Sequence, residues 1–594
     1  MKTTSIAYKE QIDKQERNRS YARIIFQQID VGAAQDGESA DNGHLPYSEW
    51  ATPDADYEHT SAYATFEPDR WRLDGTQKLL PDAPPYEPEG YIGDEISGTD
   101  GTFAINPLIT RAFSQKHSII GLTITFDAVL GETIEHFIVR FYNDNTQIDM
   151  VEIDGNTASN IVIERTIPAL DKYTIECIKT HTPYRRARIQ RVLHGVEKIF
   201  DNDRIEFSEQ VSDVDPISRR LPTETMQFTI FDYEKEYDPD NPASIWEYID
   251  IQSPISIRHG YKLDDGRIEW LAPDKYLLDG RPEIGENRAT FKATKLTGYM
   301  TDTYFKGKAG LQSLYSLAEA VFIDADLPLT TSLDNPWWID PSLNNIYTRA
   351  ALPIDTHKNC LQMIAHAGKC RLYTDGNGVI RLEKMTIPAA PASASINYDT
   401  AMAVPVITKI EPLYSINVLK YTDSVDTTAT ELHKSTFSVT GTTEFYAEFS
   451  PAEEIDVAIL GGTLSNVQKY TRAVTATIAA TGSVTITITG KQISTSASGA
   501  PLVVSSDNRG EMEIVENPLV TEDEVKTALE QHIAAYLALR NAYSFPYRGR
   551  PDLETGDLID LQSQFTPSFP AILLKHVISF NGGLRGDGIF KRAT

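Results

Sequence analysis

The stretch Asn517-Pro-Leu-Val-Thr521-Glu-Asp-Glu524, a helical repeat after it, and then Arg548-Gly-Arg-Pro-Asp-Leu-Glu-Thr-Gly-Asp557-Leu-Ile-Asp560 read together as a capped helix running into strands. Thr521 and Glu524 have the spacing of a capping box, in which each side chain satisfies one orphan amide of the first turn. Val525, Leu529, Ile533, Tyr536 and Leu537 recur at three- and four-residue steps, which predicts an amphipathic helix over 521–541 with one apolar stripe. Beyond Pro546 the period changes to short alternating runs, Leu558/Ile559/Leu561 and Ala571–Ile578, and strands are expected. No catalytic residue type is arranged around this stretch. It reads as a construction part.

The order of Asn-Pro-Leu-Val-Thr, the amphipathic helix, Tyr543, Arg-Gly-Arg-Pro, Leu-Glu-Thr-Gly-Asp and a closing Ile578-Ser-Phe-Asn-Gly-Gly-Leu584 resembles the C-terminal part of phage and prophage tail-tip proteins, which form the central baseplate hub of long-tailed phages. The alternative left open by those residues alone is a generic helix followed by a small β-barrel. Upstream, Pro222-Thr-Glu-Thr-Met-Gln-Phe-Thr-Ile-Phe-Asp232, Gly260-Tyr261, Ile268-Glu-Trp-Leu271 and Tyr276-Leu-Leu-Asp-Gly-Arg-Pro282 are similar to the first barrel of baseplate hubs and of type VI secretion spike hubs. In those families two barrels per chain, in a trimer, make a six-fold ring on the hexameric tail tube. The resemblance therefore implies a homotrimer at the virion tail tip, with the tail tube, distal tail proteins and the tape measure protein as partners.

At 594 residues the chain has room for about four domains. The 84 acidic residues outnumber 55 lysines and arginines, for a formal charge of −29, which argues against a protein that grips nucleic acid by its phosphates. Solubility explains the bulk charge, and in a tail an acidic wall would also let DNA slide without sticking. Cys177, Cys360 and Cys370 are odd in number and widely spaced, so neither a disulfide framework nor a thiolate metal cluster is expected. The N-terminus lacks an apolar signal region, and no stretch approaches the ~20 apolar residues of a membrane span. Synthesis in a host cytoplasm without a membrane anchor is expected. The polar Lys9–Arg19 front reads as a short solvated helix.

Composition changes near residues 80, 197, 300, 400 and 515. The expected fold class is mainly β with α+β insertions: an N-terminal arm and extended segment (1–80), a β-sandwich (81–197), a first hub barrel (198–300), an α/β helix–hairpin unit (301–400), and a second hub barrel (401–594) carrying a Thr-rich β insertion at about 415–515. Phe66-Glu-Pro-Asp-Arg-Trp71, Leu122-Thr-Ile-Thr-Phe-Asp127 and Ala187–Gly195 resemble discoidin-like, galactose-binding-type sandwiches. On that resemblance Trp50, Trp71, Tyr86 and Tyr91 are candidates for a sugar-stacking platform on a host surface glycan. The plainer alternative places Trp71 and Phe66 in the sandwich core.

Leu311, Leu314, Tyr315, Ala318 and Val321, and again Leu361, Ile364 and Ala365, predict two amphipathic helices. After the second, Lys369–Glu383 alternates around Asp375-Gly376, a hairpin signal. His357, Cys360, His366 and Cys370 lie close in sequence, but their spacing matches no familiar tetrahedral pattern, and no metal or cofactor is expected. The phosphate-cradling Gly-Lys-Ser/Thr loop, the Gly-x-Ser-x-Gly elbow and His-Glu-x-x-His are all absent from the sequence. Three functions stay in play: a structural tail-tip hub, which the motifs favour and which is no enzyme; a receptor- or glycan-binding tail protein acting through 81–197; and a tail-associated cell-wall hydrolase, disfavoured because no lytic domain follows the Asn581-Gly-Gly strand.

Overall fold

A computed structural model describes the chain except residues 15, 31, 34–35, 42–63, 71–74, 76–89, 128–131, 242–243, 247–248, 250–251, 328–335, 387–391, 393, 410–412, 506–510, 540, 563–567 and 594. The chain is mainly β, with α+β parts, as its period-two patterning predicts.

The strand Glu224–Phe231 shows how the barrels arise. Met226, Phe228 and Ile230 point inward and are buried, while Thr225, Gln227 and Thr229 alternate outward. Phe228 stacks on Phe291 of the paired strand Arg288–Thr294 at 4.8 Å between ring centroids, and Tyr237 meets Phe291 edge-on at 5.2 Å. Around this core the strands run in the order Ile205–Asp213, Glu224–Phe231, Arg288–Thr294, Asp274–Leu278, Pro254–Lys262, Ser20–Ile29 and Gly195–Phe200. Ser20–Ile29, from the segment read as an N-terminal arm, is thus an inner strand, paired on both edges.

The second barrel uses Val406–Lys409, Asn541–Arg548, Leu584–Arg592, Phe569–Phe580, Leu558–Leu561 and Ala394–Ile396 around Tyr543, Phe545, Tyr547, Phe569 and Phe590. Tyr547 lies so close to the neighbouring strand that a Cβ on Gly586 would sit 2.6 Å from its ring, so glycine is required there. Both halves, curled like barrels around their own cores, belong to one fifteen-stranded sheet, because Ser208–Asp213 pairs antiparallel with Lys575–Phe580; among the described residues no ladder closes either half into a full ring.

The solvated front helix expected from its polar residues is instead docked. Ile6–Asp13 is capped by Ser5, whose Oγ accepts from Tyr8 N at 3.0 Å. Tyr8 and Ile12 are fully buried against Tyr261, Leu263 and Leu271. Four residues separate Tyr8 from Ile12, one helical turn, so a narrow stripe suffices to anchor a helix that is otherwise polar.

Residues 91–193 form an antiparallel sheet with Glu38–Asp41 as its seventh strand. Its long strands Leu108–Phe126 and Asn160–Thr180 pair along most of their lengths through three register shifts. Those irregularities bend both strands, so the sheet wraps its apolar rows around Phe126, Phe137, Phe141 and Tyr173. The α/β unit packs Leu314–Asp324 and His357–Gly368 over the hairpin Cys370–Thr374/Ile380–Lys384, with Lys369 in the left-handed conformation at the helix end (φ 58°).

In the Thr-rich insertion, Thr430–Glu448 pairs with Ala473–Ser498 over eighteen positions. Glycines 441 and 482, both at positive φ, bend this ribbon, and the even-numbered residues Val474, Ile478, Val484, Ile486 and Ile488 close a core of their own.

The capping box at Thr521 is not formed. The helix spans Asp523–Leu537, its N-cap is Glu522, and no side chain caps it. Thr521 Oγ1 instead accepts from Arg349 N at 2.9 Å, tying the helix entrance to the α/β unit. The expected apolar stripe is present: Val525, Leu529, Ile533 and Tyr536 pack on Ile416, Val418 and Val515.

Removing the stacked ring in the first barrel leaves a cavity lined by aromatic side chains. Phe228→Ala is expected to cost about 3–5 kcal/mol in denaturant melts, whereas Ser483→Ala on the exposed face of the insertion stays within about 0.5 kcal/mol.

Candidate functional site

The inward rows of the first barrel do not end in apolar residues. Continuing each row by one inward position gives Gln210 after Ser208, Glu224 before Met226, His259 after Ile257, Asp274 before Tyr276, and Lys295 after Ala293. All but Asp274 rank among the buried polar residues, and Asp274 has a side chain only 16% exposed. Gln210, Glu224, Asp274 and Lys295 of this layer form one wall of a cavity of about 400 Å³ where both barrels, the α/β hairpin and the N-terminal residues meet; Arg371, Tyr373 and Thr374 face it from the hairpin, Glu554, Asp557 and His576 from the second barrel, and Lys2 from the N-terminus.

The carboxylates and amines of the layer satisfy one another. Glu224 accepts from Thr374 N at 3.0 Å and from Thr297 Oγ1 at 3.0 Å, and Lys295 Nζ lies 3.7 Å from Glu224 while donating to Thr374 O at 2.9 Å. Burial opposes the Lys295 charge, but Glu224, Tyr276 and Asp274 outweigh it and keep the amine protonated. Burial likewise pushes Glu224 up, with Lys295 and the Thr374 amide working against it.

Lys2 Nζ donates to Asp274 at 2.8 Å, and Gln210 Nε2 donates to the same carboxylate at 3.0 Å. Burial raises Asp274, yet Lys2 and Lys295 hold its pKa at about 2. Gln210 is oriented by these bonds, so its Oε1 must accept from His259 Nε2 at 2.6 Å, which makes His259 the Nε2–H tautomer. Arg371 spans the junction by donating to Thr555 O at 2.8 Å and to Glu383 at 2.7 Å. Chemically, this arrangement fastens four segments together: cations face anions, and no nucleophile is aligned with a base and an orienting group.

The sugar-platform candidates do not converge on this site. Trp50, Trp71 and Tyr86 lie outside the described residues, and Tyr91 is a core residue of the N-terminal sheet, 1% exposed, with no ring face presented to solvent. His357 is engaged by Asp324 (3.0 Å) and by Asp302 O (2.7 Å). Cys360 is buried in the α/β core, where burial pushes its thiol up to about 12, and Cys370 is buried there too. Among the described residues no three His, Cys, Asp or Glu side chains group as metal ligands, and no helix is long and apolar enough to cross a membrane.

A second charged cluster fastens the N-terminal sheet: Arg188 pairs with Glu67 and, at 2.9 Å, with Glu132, while Arg185 pairs with Glu132 at 2.6 Å. The sequence marks the two arginines, but only the fold brings the two carboxylates to them. Glu224 and Lys295 carried a readable signal, since each occupies the apolar phase of its strand.

No family model matches the sequence, and no curated protein matches it. Among solved structures the chain is similar to the 43 kDa tail protein of prophage MuSo2 from Shewanella oneidensis (10% identity, 67% of this chain and 96% of that one, TM-score 0.37). It is also similar to a tail protein from Neisseria meningitidis MC58 (9% identity, 66% and 94%, TM-score 0.37). A third is prophage tail protein gp18 from Listeria monocytogenes EGD-e (9% identity, 67% and 91%, TM-score 0.34).

Two outcomes follow, one from the buried polar layer and one from the buried histidines. Lys295→Met leaves Glu224 buried without its cation and is expected to destabilise by about 3–5 kcal/mol, with the loss reduced in the Lys295→Met/Glu224→Gln double variant. Burial lowers His194 and His259 to about 3 and His366 and His576 to about 4, all neutral when folded. The unfolded chain binds protons there from about pH 6.5 downward, so stability is full above that value and is lost as the pH falls from about 6.5 toward 4 and 3. Urea melts between pH 7 and pH 5 read the slope, and His576→Gln should flatten it.

Proposed function

We propose that this chain is a structural baseplate-hub component of a phage or phage-like tail tip, acting by assembly and without catalysis. The observation that carries this reading is the ladder between Ser208–Asp213 and Lys575–Phe580, which fixes two barrels side by side in one rigid sheet. Paired barrels are what a trimer needs to meet a six-fold tube with six equivalent contacts, and the C-terminal motif order from Asn517 to Leu584 supports the same assignment. The interlocked ion pairs at the junction hold the barrels at a constant angle, as a ring closed by repetition of one interface demands. In such a ring the −29 charge of each chain disfavours adhesion of DNA to the passage.

Light scattering on the purified protein, alone and with the tail-tube protein, tests the reading. The expected mass is three chains, either alone or once the tube protein is added. A single chain that ignores the tube protein overturns it.

A further inference from the structure

Outside the second barrel lies a pocket of about 460 Å³, with walls from two barrel strands, the helix Asp523–Leu537 and the loop 214–220. Its barrel wall depends on a bulge. The ladder between Phe569–Phe580 and Leu584–Arg592 pairs Leu573 with Phe590 and then Lys575 with Ile589, which leaves Leu574 as the extra residue. Two consecutive side chains, Leu574 and Lys575, therefore both line the pocket, where plain alternation would supply one. Val214 N donates to Leu574 O at 2.9 Å, and His532 Nε2 donates to Pro216 O at 3.1 Å, so strand and helix both hold the loop.

The charges of this pocket do not balance. Arg219 and Arg220 stand side by side on the loop; Glu513 engages one nitrogen of the first, and Asp213, at 2.7 Å, one nitrogen of the second. Asp215, the one carboxylate among the described lining residues, is turned onto its own loop, accepting from Ile217 N at 3.2 Å and Arg219 N at 3.0 Å. Lys575 has no carboxylate partner among the described residues. Lys591 follows the lining Ile589 by two positions on the same face of its strand; it is 2% exposed, and its Nζ lies 3.6 Å from the centroid of the Tyr536 ring, which lines the pocket. Neither Lys591 Nζ nor the Tyr536 hydroxyl has a hydrogen-bond partner among the described residues, yet neither atom is sealed from solvent. Both lie in the field of Asp215 and Arg219. Burial opposes the Lys591 charge, Asp215 favours it and Arg219 opposes it, so that the amine titrates at about 8. A buried cation without a counter-ion is a standing demand for an anion, here in a chain whose overall charge is −29.

The rest of the lining is apolar: Val214, Pro216, Leu574 and Ile589, the last 36% exposed. The volume falls in the range of small-molecule sites and exceeds what a bare inorganic anion fills. Cations around an apolar lining match a compact apolar body that carries an anionic head. We propose that this pocket binds a small organic oxyanion, a carboxylate or phosphate on a compact apolar body, whose head is held by Lys591, Lys575 and the open guanidinium N–H groups of Arg219 and Arg220. The proposal stands independently of the hub reading, since neither the oligomeric state nor the tail tube enters it.

The test titrates benzoate and phenyl phosphate into the full chain by calorimetry, with inorganic phosphate as the head alone, benzyl alcohol as the body alone and benzylamine as the opposite charge. Saturable binding with Kd below about 1 mM is expected for at least one of the two anions, the tighter one identifying the head, and each control should bind at least about tenfold more weakly. Lys591→Met should weaken binding about tenfold without lowering the melting temperature, because the charge it removes is buried without a counter-ion, and Lys575→Gln should weaken it about three- to tenfold. In protein carrying ¹³C-labelled lysine, the Lys591 Cε titration, faced by Asp215, Arg219 and Tyr536 and centred at about 8, should move upward when the ligand is bound, a shift that a merely structural lysine would not show. Absence of saturable binding by both anions, equal binding of benzyl alcohol, or a Lys591 midpoint that ignores the ligand overturns the proposal, and none of these needs a variant. Binding of the acidic peptide acetyl-Phe-Asp-Phe-amide but of neither small anion also overturns it, and would give the pocket to an acidic side chain of a partner protein.

Discussion

Everything larger than one barrel in this protein depends on the hydrogen-bonded ladder between Ser208–Asp213 and Lys575–Phe580. The two strands lie more than three hundred and fifty residues apart, so closing that loop carries a large entropic cost, though one that grows only logarithmically with length. What offsets it is the fusion of two cores: Phe580 ends its strand inside the first-barrel core, while Phe569, Ala571 and Leu573 of the same strand belong to the second. One strand thus serves both interiors, and neither barrel can rotate against the other without breaking the ladder.

The polar layer at the base of the first barrel turns this attachment into a defined angle. Charges buried at a junction are poor stabilisers in comparison with apolar packing, because desolvation consumes most of the Coulomb gain. They are demanding about geometry, however. Lys295 must reach Thr374 O on the hairpin, Asp274 must receive Lys2 and Gln210 together, and Arg371 must find Thr555 O on the second barrel. A sliding apolar contact would tolerate many angles, and this one tolerates few.

The parts of the fold legible in the sequence were those set by local period. The alternation of Thr225–Phe231, the stripe from Val525 to Tyr536 and the Asp375-Gly376 hairpin all appear where the residues place them. What the sequence concealed was decided by distant partners. Thr521 has the capping spacing, but Arg349 N competes for its oxygen and wins. The front helix looks solvated until Tyr261, some 250 residues later, provides a surface for Tyr8. Ser20–Ile29 reads as an arm because its two pairing strands lie far downstream. At the site, the phase of Glu224 and Lys295 within apolar rows was visible, while their mutual approach was not.

The Thr-rich insertion illustrates the opposite economy of contacts. Its core is drawn almost wholly from its own strands, with threonines and serines on the outer face, so it has no need of the barrels for burial. Its ties to the α/β unit are correspondingly few: Thr471 N donates to Gly307 O at 2.9 Å, Ala309 N donates to Thr471 Oγ1 at 2.7 Å, and Phe305 packs edge-on against Tyr446 and Tyr470. A second set of ties runs to the helix entrance, where Tyr421 N donates to Val520 O at 2.9 Å and Lys420 pairs with Asp523 at 2.7 Å, so an element that closes its own core is held to its host at few places and can change its outer face without disturbing the angle between the barrels. The strand Glu511–Val515, where the chain returns from the insertion, has the contrary position, because Val515 packs in one cluster with Leu529 and Ile533 of the helix while the strand pairs with Leu413–Val418. That short strand is therefore fixed by burial where the insertion is not, and it ties the return of the chain to the helix that follows.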